Sequence, residues 1–212
     1  MSAPDFDRIA RAYRWLEYAT LGPLLQRMRN HHLARLRVCR QALILGDGDG
    51  RFTARLLAQN TQMCATAVDI SGAMLELLGK RASASGDRLW TLKIDAREYV
   101  PEERPDLVCT HFFLDCFTQA DVDAMIGRLA PTLTPGGFWL VSDFRIPGGL
   151  LQFAARVYVR LLYFAFRVLT GLRTNRLPDY AAALRRAGLH LVTEHRSLFG
   201  LLTTQLWQRD ER

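Results

Sequence analysis

The sequence contains few cysteines, and their arrangement favours neither a crosslink nor a metal site. Cys39, Cys64, Cys109 and Cys116 lie far apart, with no Cys-x-x-Cys pair and no histidine at the spacing of a zinc site. This pattern argues against a disulfide framework and against a structural zinc. We therefore expect a reducing, cytoplasmic environment and no metal ion.

The N-terminus lacks the apolar core of an export signal, and the chain lacks biased or repetitive tracts. Acids and arginines are scattered through residues 1–15, so no secretory signal is predicted. The chain has 212 residues, of which 49% are apolar, and this composition predicts one folded domain with a full hydrophobic core.

Positive charge exceeds negative charge, and it is unevenly distributed. The formal net charge is +7, the first forty residues contain eight arginines, and residues 145–178 contain six arginines and no acid. An excess of this kind favours an anionic partner, such as lipid headgroups, nucleic acid or an acidic substrate.

Short apolar runs alternate with segments of helical periodicity along most of the chain. Seven strands are predicted, at residues 41–45, 63–68, 89–94, 106–110, 138–143, 189–194 and 201–207. Helices are predicted at residues 52–57, 71–81, 121–129 and 180–187, and two more over residues 6–36. This alternation predicts an α/β fold with a mainly parallel sheet covered on both faces.

A glycine loop follows the first predicted strand and precedes a helix. Gly46, Gly48 and Gly50 would let the backbone approach a ligand closely, and the helix N-terminus that follows favours negative charge. The loop alone is a weak signal, because dinucleotide-binding proteins use a similar turn and some glycine-rich turns are purely structural.

Two acids stand at the ends of the next two predicted strands. Asp69 occupies a position from which a carboxylate can accept both ribose hydroxyls of a nucleotide, and a helix cap is its alternative role, although Ser71 is available for capping. Asp95 could accept from an adenine amino group, with Ile70 and Ala96 covering the ring; its alternative is a solvated loop acid.

These motifs, together with Leu133-Thr134-Pro135-Gly136-Gly137, resemble the ordered motifs of class I methyltransferases that use S-adenosylmethionine (SAM). The resemblance implies a Rossmann-like, seven-stranded sheet in the order 3-2-1-4-5-7-6 with strand 7 antiparallel. It also implies SAM as cofactor and S-adenosylhomocysteine as its product. The expected cofactor-binding residues are Tyr13, Gly46, Asp47, Gly48, Gly50, Asp69, Ile70, Asp95, Ala96 and His111.

The N-terminal residues resemble those of small-molecule methyltransferases from ubiquinone and menaquinone biosynthesis. The matching residues are Phe6 to Tyr13, and the resemblance implies that Tyr13 closes over the cofactor. Ile44 stands where the family usually has an acid, and Asp47 or Asp49 could substitute for it.

Candidate catalytic residues follow the fourth predicted strand. His111 titrates near neutrality and could act as a general base, as could Asp115, if the acceptor must lose a proton. The alternatives are a structural histidine and an aspartate that caps a turn. Asp47, Asp115 and Asp143 also raise the idea of a magnesium site, but their spacing supports no definite ligand set.

A basic and apolar segment at residues 150–172 predicts an amphipathic helix. Arg156, Arg160 and Arg167 fall on one narrow stripe, and the helix also has a wide apolar face. Three arginines disfavour a transmembrane span. The segment could be a lid over the substrate, a homodimer interface or a helix that contacts a membrane surface.

The sequence thus predicts one methyltransferase domain over residues 1–212. Its parts are a helical cap at 1–40, a cofactor-binding core at 41–143, a lid at 144–179 and a terminal helix with a strand pair at 180–212. The expected acceptor is a small, lipophilic or aromatic molecule resembling a quinone, phenol or lipid. The alternatives are a nucleic-acid methyltransferase, disfavoured because no Asn-Pro-Pro-aromatic motif follows strand 4, and a non-catalytic SAM-fold protein.

Overall fold

The computed structural model describes residues 21–149, 152–153, 155–161 and 176–211. The strands are β1 (Gln41–Leu45), β2 (Cys64–Asp69), β3 (Leu89–Lys93), β4 (Leu107–His111), β5 (Phe138–Phe144), β6 (Leu189–Ser197) and β7 (Leu202–Arg209). The helices are α1 (Pro23–Asn30), α2 (Arg51–Gln59), α3 (Gly72–Arg81), α4 (Gln119–Leu129) and α5 (Tyr180–Arg186). Residues 152–153 and 155–161 are also helical.

The seven strands form one sheet in the order β3-β2-β1-β4-β5-β7-β6. Strands β1 to β5 pair in parallel, whereas β7 runs antiparallel to both β5 and β6. The predicted fold class and strand order are confirmed. Because the carboxyl ends of β1, β2, β3, β4 and β5 meet at one edge, the loops after these strands are brought side by side.

Helices cover both faces of the sheet. Leu56 of α2 and Leu78 of α3 pack in one buried cluster with Ile44 of β1. Ile126 of α4 and Leu184 of α5 pack in another cluster, on the opposite face of the sheet. The central strands β1 and β4 are therefore buried on both sides, which explains their nearly continuous apolar sequences.

Strand β3 lies at the edge of the sheet and is more exposed than its sequence indicates. The connection from β3 to β4, which the structure describes throughout, contains no helix. As a result Trp90 is 52% exposed and Leu92 is 40% exposed. Helices cover both faces of the sheet as predicted, but no crossover helix covers β3 at its edge.

The predicted helices mostly agree with the structure, with differences at their ends. Of the two helices expected over residues 6–36, α1 falls within the described part, and Leu33–Val38 is a short 3-10 helix instead of an α-helical continuation. Short 3-10 segments of this kind commonly connect larger elements. Within the described ranges, no helix has the length and apolar character needed to cross a membrane.

Candidate functional site

The glycine loop has the backbone conformation that its sequence predicts. Gly46, Gly48 and Gly50 all have positive φ angles, of 64°, 59° and 77°. The loop also approaches the chain after β4 closely, since a Cβ built on Gly46 would lie 2.6 Å from Cε2 of Phe113. Any side chain at Gly46 would therefore strain the backbone and collide with this ring.

Backbone hydrogen bonds place the predicted cofactor motifs next to one another. The amide of Gly46 donates to the carbonyl of Val68 at 3.0 Å, so the loop after β1 abuts the end of β2. The amide of Ile94 donates to the carbonyl of Asp69 at 3.2 Å, which joins the ends of β2 and β3. The glycine loop, Asp69 and the start of the Asp95 loop therefore form one continuous edge.

Asp47 caps helix α2 instead of facing outward from the loop. Its Oδ2 accepts hydrogen bonds from the amide and from the hydroxyl of Thr53, at 2.9 and 2.7 Å. Burial raises the pKa of Asp47 to about 6, although the Thr53 hydrogen bonds act in the opposite direction. Asp47 therefore binds an amide at the N-terminus of α2, where we expected the negative charge of a ligand to be favoured.

Asp49 is held in ion pairs. Its carboxylate lies 2.9 Å from Nε of Arg51 and 3.0 Å from a terminal nitrogen of Arg81. Arg81, at the end of α3, also donates to the backbone carbonyl of Asp49 at 2.9 Å. Of the two acids considered as replacements for the one missing at Ile44, Asp49 therefore ties the glycine loop to α3, and its geometry indicates a structural role.

Asp69 and Asp95 stand at the ends of β2 and β3, where the sequence predicts them. Oδ1 of Asp69 accepts from the amide of Ser71 at 2.9 Å, and Ser71 itself caps α3 by accepting from Met74 at 3.1 Å. The Asp95 carboxylate forms an ion pair with Arg97 at 2.6 Å, and this hydrogen-bonded arginine lowers the pKa of Asp95. Both acids are thus fixed in orientation by their own loops.

The two residues that flank these acids differ in exposure. Ile70 is half-buried beside Asp69, whereas Ala96 belongs to the hydrophobic core and is 6% exposed. The backbone carbonyl of Ala96 accepts from Arg128 of α4 at 2.9 Å, which anchors the loop after β3.

His111 points into the protein on the α2 side of the sheet. Its Nδ1 lies 2.9 Å from Oγ of Ser142, and its ring packs edge-on against Phe52 at 4.2 Å between centroids. Burial, followed by the nearby charges of Arg29 and His32, lowers the pKa of His111 well below its usual value. The imidazole is therefore neutral over the physiological pH range.

Asp115 lies against a second buried acid, Asp143 of β5. The amide of Asp115 donates to Oδ2 of Asp143 at 3.2 Å, and the Cys116 thiol lies 3.6 Å from Oδ1 of Asp115. Burial raises the pKa of Asp115 to about 6. Burial and the charge of Asp115 raise the pKa of Asp143 well above its usual value. The two carboxyl groups resist simultaneous ionisation, because two negative charges close together in a buried site have a high free energy.

The structure does not bring the two predicted catalytic residues together. His111 pairs with Ser142, whereas Asp115 contacts the next residue, Asp143, and successive side chains of a strand point to opposite faces. His111 and Asp115 are therefore separate candidates for the general base, as the sequence predicts. Tyr13 lies outside the described residues.

Two further side chains, Phe113 and Arg29, shape this edge, and only Arg29 was not considered from the sequence. Phe113 packs against Gly46, as described above, and meets Phe117 edge-on at 4.9 Å between centroids. Arg29 of α1 is buried, and its guanidinium carbon lies 5.2 Å from the centroid of the Phe112 ring. Phe112 itself has a positive φ of 51°. Nothing in a run of arginines or phenylalanines reveals which of them is buried, so only the fold identifies these contacts.

No set of three or more histidine, cysteine or acidic side chains suited to a metal ion occurs in the described ranges. The magnesium site considered from Asp47, Asp115 and Asp143 therefore has no support in the geometry. Asp47 is engaged with Thr53, and the other two acids contact each other.

Comparison with known proteins bears on the class of this fold. Residues 42–137 match the profile of a family described as a methyltransferase domain. No curated protein matches the sequence significantly. An O-methyltransferase family protein from Burkholderia thailandensis superposes with a TM-score of 0.73 at 20% identity, over 98% of this chain and 64% of that chain.

Two further solved structures are similar. The human N-acetylserotonin methyltransferase, solved in complex with SAM, has a TM-score of 0.65 and 16% identity over 95% of this chain and 55% of that chain. A putative methyltransferase from Haloferax volcanii, solved with a methyltransferase activator, has a TM-score of 0.74 and 16% identity over 99% of this chain and 100% of that chain.

The strand order is the one that the resemblance to class I SAM-dependent methyltransferases implies, and the matched family lies within the part of the chain that forms β1 to β4. Residues 42–137 are therefore similar to a methyltransferase domain, and the chain shares its fold with solved methyltransferases. The chain spans 64% and 55% of the lengths of the Burkholderia and human proteins.

Proposed function

We propose that this protein transfers a methyl group from SAM to a small, lipophilic or aromatic acceptor of the quinone, phenol or lipid type. The observation that carries the proposal is the continuous edge formed by the glycine loop and the ends of β2 and β3. There the Gly46 amide bonds to Val68 and the Ile94 amide bonds to Asp69. Ligands of open α/β sheets bind at such an edge.

The residues present at this edge fit SAM. In our proposal the Asp69 carboxylate accepts the ribose hydroxyls, and Asp95 and Ala96 border the adenine. In our proposal the methionine part approaches the backbone of the glycine loop at Gly48, which carries no side chain. Bound SAM supplies an activated methyl group on its sulfonium, and the chain's own residues bind it, orient it and exclude water.

The acceptor class is inferred from what surrounds the end of β4. Phe112, Phe113 and Phe117 are half-buried there, so an apolar or aromatic molecule would gain contact area against them. Several similar structures bear the names of enzymes for small aromatic molecules, among them the N-acetylserotonin methyltransferase. The resemblance of residues 6–13 to quinone-biosynthesis enzymes points to the same chemical class.

Asp115 fits the role of proton acceptor better than His111. Burial raises the pKa of the Asp115 carboxyl group, which makes it a better acceptor for the proton that a phenol or hydroxyl group would lose during methyl transfer. His111, bonded to Ser142 on the other side of β5, fits a positioning role. Action in the cytoplasm, the division into cap, core and lid, a homodimer and membrane contact through residues 150–172 remain predictions.

Binding of the cofactor can be tested by thermal shift with SAM and with S-adenosylhomocysteine. A ligand that binds only the native state raises the apparent stability with the logarithm of its concentration over Kd. Asp69→Asn keeps an oxygen for the Ser71 amide but removes the charge that would hold the ribose. We expect it to weaken binding by roughly 10- to 100-fold, the range for hydrogen bonds to a charged group.

Asp87→Asn is the matched control, because Asp87 is exposed and lies before β3, away from this edge. It should leave both shifts unchanged. If the wild-type protein showed no shift at millimolar SAM, the cofactor proposal would be wrong and a non-catalytic role would be favoured. If Asp69→Asn matched the wild type, the placement of the ribose would be wrong.

A further inference from the structure

A large apolar surface is exposed on the helical segment at residues 155–161 and just before it. Phe153, Val157 and Leu161 are 77%, 41% and 64% exposed. They are spaced four residues apart and therefore lie on one side of a helix. We call these three side chains the outer apolar face. Exposed apolar side chains that cluster in this way mark interaction sites in folded proteins.

The opposite side of the same segment is packed into the domain. Ala155 and Val159 are 8% and 4% exposed, and they share a buried cluster with Phe144 of β5 and Leu202 of β7. The segment thus already has a core-facing side. Because the segment can pack only one side against the sheet, the outer apolar face remains exposed while Ala155 and Val159 are buried.

Charge identifies the kind of surface that this face would meet. Arg156 and Arg160 are exposed and adjoin the outer apolar face, and residues 145–178 contain no acid at all. A partner that covered this face would therefore contact Arg156 and Arg160, whose charges are not neutralised by any acid within residues 145–178. Apolar side chains bordered by arginine are the pattern of helices that lie in the interface of an anionic lipid layer.

A fourth exposed apolar side chain, Phe199, lies on the same part of the molecule. Phe199 is 83% exposed in the turn between β6 and β7. Its neighbours Leu198 and Leu201 pack in the cluster that holds Ala155 and Val159. Arg145 donates through its backbone amide to the carbonyl of Leu201 at 2.8 Å, which joins this turn to the end of β5. The turn and the outer apolar face therefore belong to one end of the protein.

We propose that this end docks onto an anionic lipid surface, with Phe153, Val157, Leu161 and Phe199 in the apolar layer and Arg156 and Arg160 at the headgroups. The docked end adjoins β5, whose Asp143 contacts Asp115 at the proposed acceptor site. A lipophilic acceptor dissolved in the lipid would then enter close to the site without crossing water. The docking does not depend on the identity of the acceptor.

The test is co-sedimentation of the full chain with vesicles of phosphatidylcholine and with vesicles that also contain phosphatidylglycerol. We expect binding to the second kind, weakened by added salt because the arginine contribution is screened. Phe153→Ser with Leu161→Ser should reduce the partition coefficient by at least about tenfold, since each buried methylene contributes close to 0.8 kcal/mol. Arg156→Gln with Arg160→Gln should reduce it about fivefold per arginine.

Val38→Ser is the matched control, because Val38 is 69% exposed at the end of a 3-10 helix outside this surface. It should bind vesicles like the wild type. The melting temperature of every variant, measured without ligand, reports folding and keeps this test separate from that of the cofactor. Absence of binding to anionic vesicles would overturn the proposal. Variants that bind anionic vesicles like the wild type would also overturn the proposal. If those variants were monomers while the wild type was a dimer, the face would be assigned to contact with a second copy of the chain.

Discussion

Replacement of Gly46 by alanine tests the close contact between the glycine loop and the chain after β4. Gly46 has a φ of 64°, and its Cβ position is 2.6 Å from Cε2 of Phe113. A left-handed conformation costs a non-glycine residue about 1–2 kcal/mol. Overpacking costs about 1–3 kcal/mol more, because the ring must move. We therefore expect Gly46→Ala to lower the free energy of unfolding by about 2–5 kcal/mol.

Urea denaturation measures this free energy, and Gly127→Ala is the matched control. Gly127 lies inside α4, where a Cβ would meet nothing within 4 Å. Alanine there should stabilise the protein by about 0.5–1 kcal/mol, because it favours the helix over the unfolded chain. Opposite signs for the same substitution at two glycines would separate the local contact from a general effect of added methyl groups.

A double mutant separates the collision from the backbone strain. Phe113→Ala removes the ring, so Gly46→Ala in that background should retain only the cost of the left-handed conformation, about 1–2 kcal/mol. The coupling energy between the two sites should be about 1–3 kcal/mol. A Gly46→Ala protein within about 0.5 kcal/mol of the wild type, the scale of a neutral surface change, would refute the reasoning.

Three other substitutions test further parts of the fold. Asn60→Ala should destabilise the protein by about 1–3 kcal/mol, because its Nδ2 donates to three carbonyls before β1, the shortest at 2.8 Å, and urea denaturation will show it. Ser71→Ala removes the cap of α3 and should cost about 1 kcal/mol by the same assay, whereas Ser71→Asp should restore most of it. Burial raises the folded-state pKa of Asp47 from 3.8 to about 6, so the folded protein binds this proton more tightly than the unfolded chain does. The folded protein therefore loses stability as the pH rises from about 4 to 6. The stability of Asp47→Asn relative to the wild type should therefore improve across this range, and a pH series of denaturation curves that stayed parallel would contradict this.

The pH dependence of the whole protein will reflect a second, opposite contribution. Burial, followed by the charge of His31, lowers the pKa of His32 to about 4. A base with a depressed pKa takes up its proton more readily when unfolded, so its contribution to stability is lost as pH falls from about 6.5 to 4. His32 and Asp47 therefore act in opposite directions over nearly the same pH range.

Several features of this protein follow from local sequence. Apolar runs of about five residues predicted the strands, and segments of helical periodicity between them predicted most of the helices. A glycine loop followed by acids at successive strand ends indicated a nucleotide-like cofactor. Ser71 was identified as a cap from its position alone, because capping depends on residues three apart. These signals are readable because each depends on a handful of neighbouring residues.

Other features depended on contacts between distant parts of the chain. The ion pair of Asp49 with Arg81 and the contact of Asp115 with Asp143 join residues about thirty positions apart. The approach of Phe113 to Gly46 requires β1 and β4 to be neighbours in the sheet. Strand periodicity shows that successive side chains point to opposite faces of the sheet, but it does not show which face is buried. The sequence alone therefore determined the class of fold and the candidate acids, whereas tertiary packing decided which acids serve the fold and which face the site.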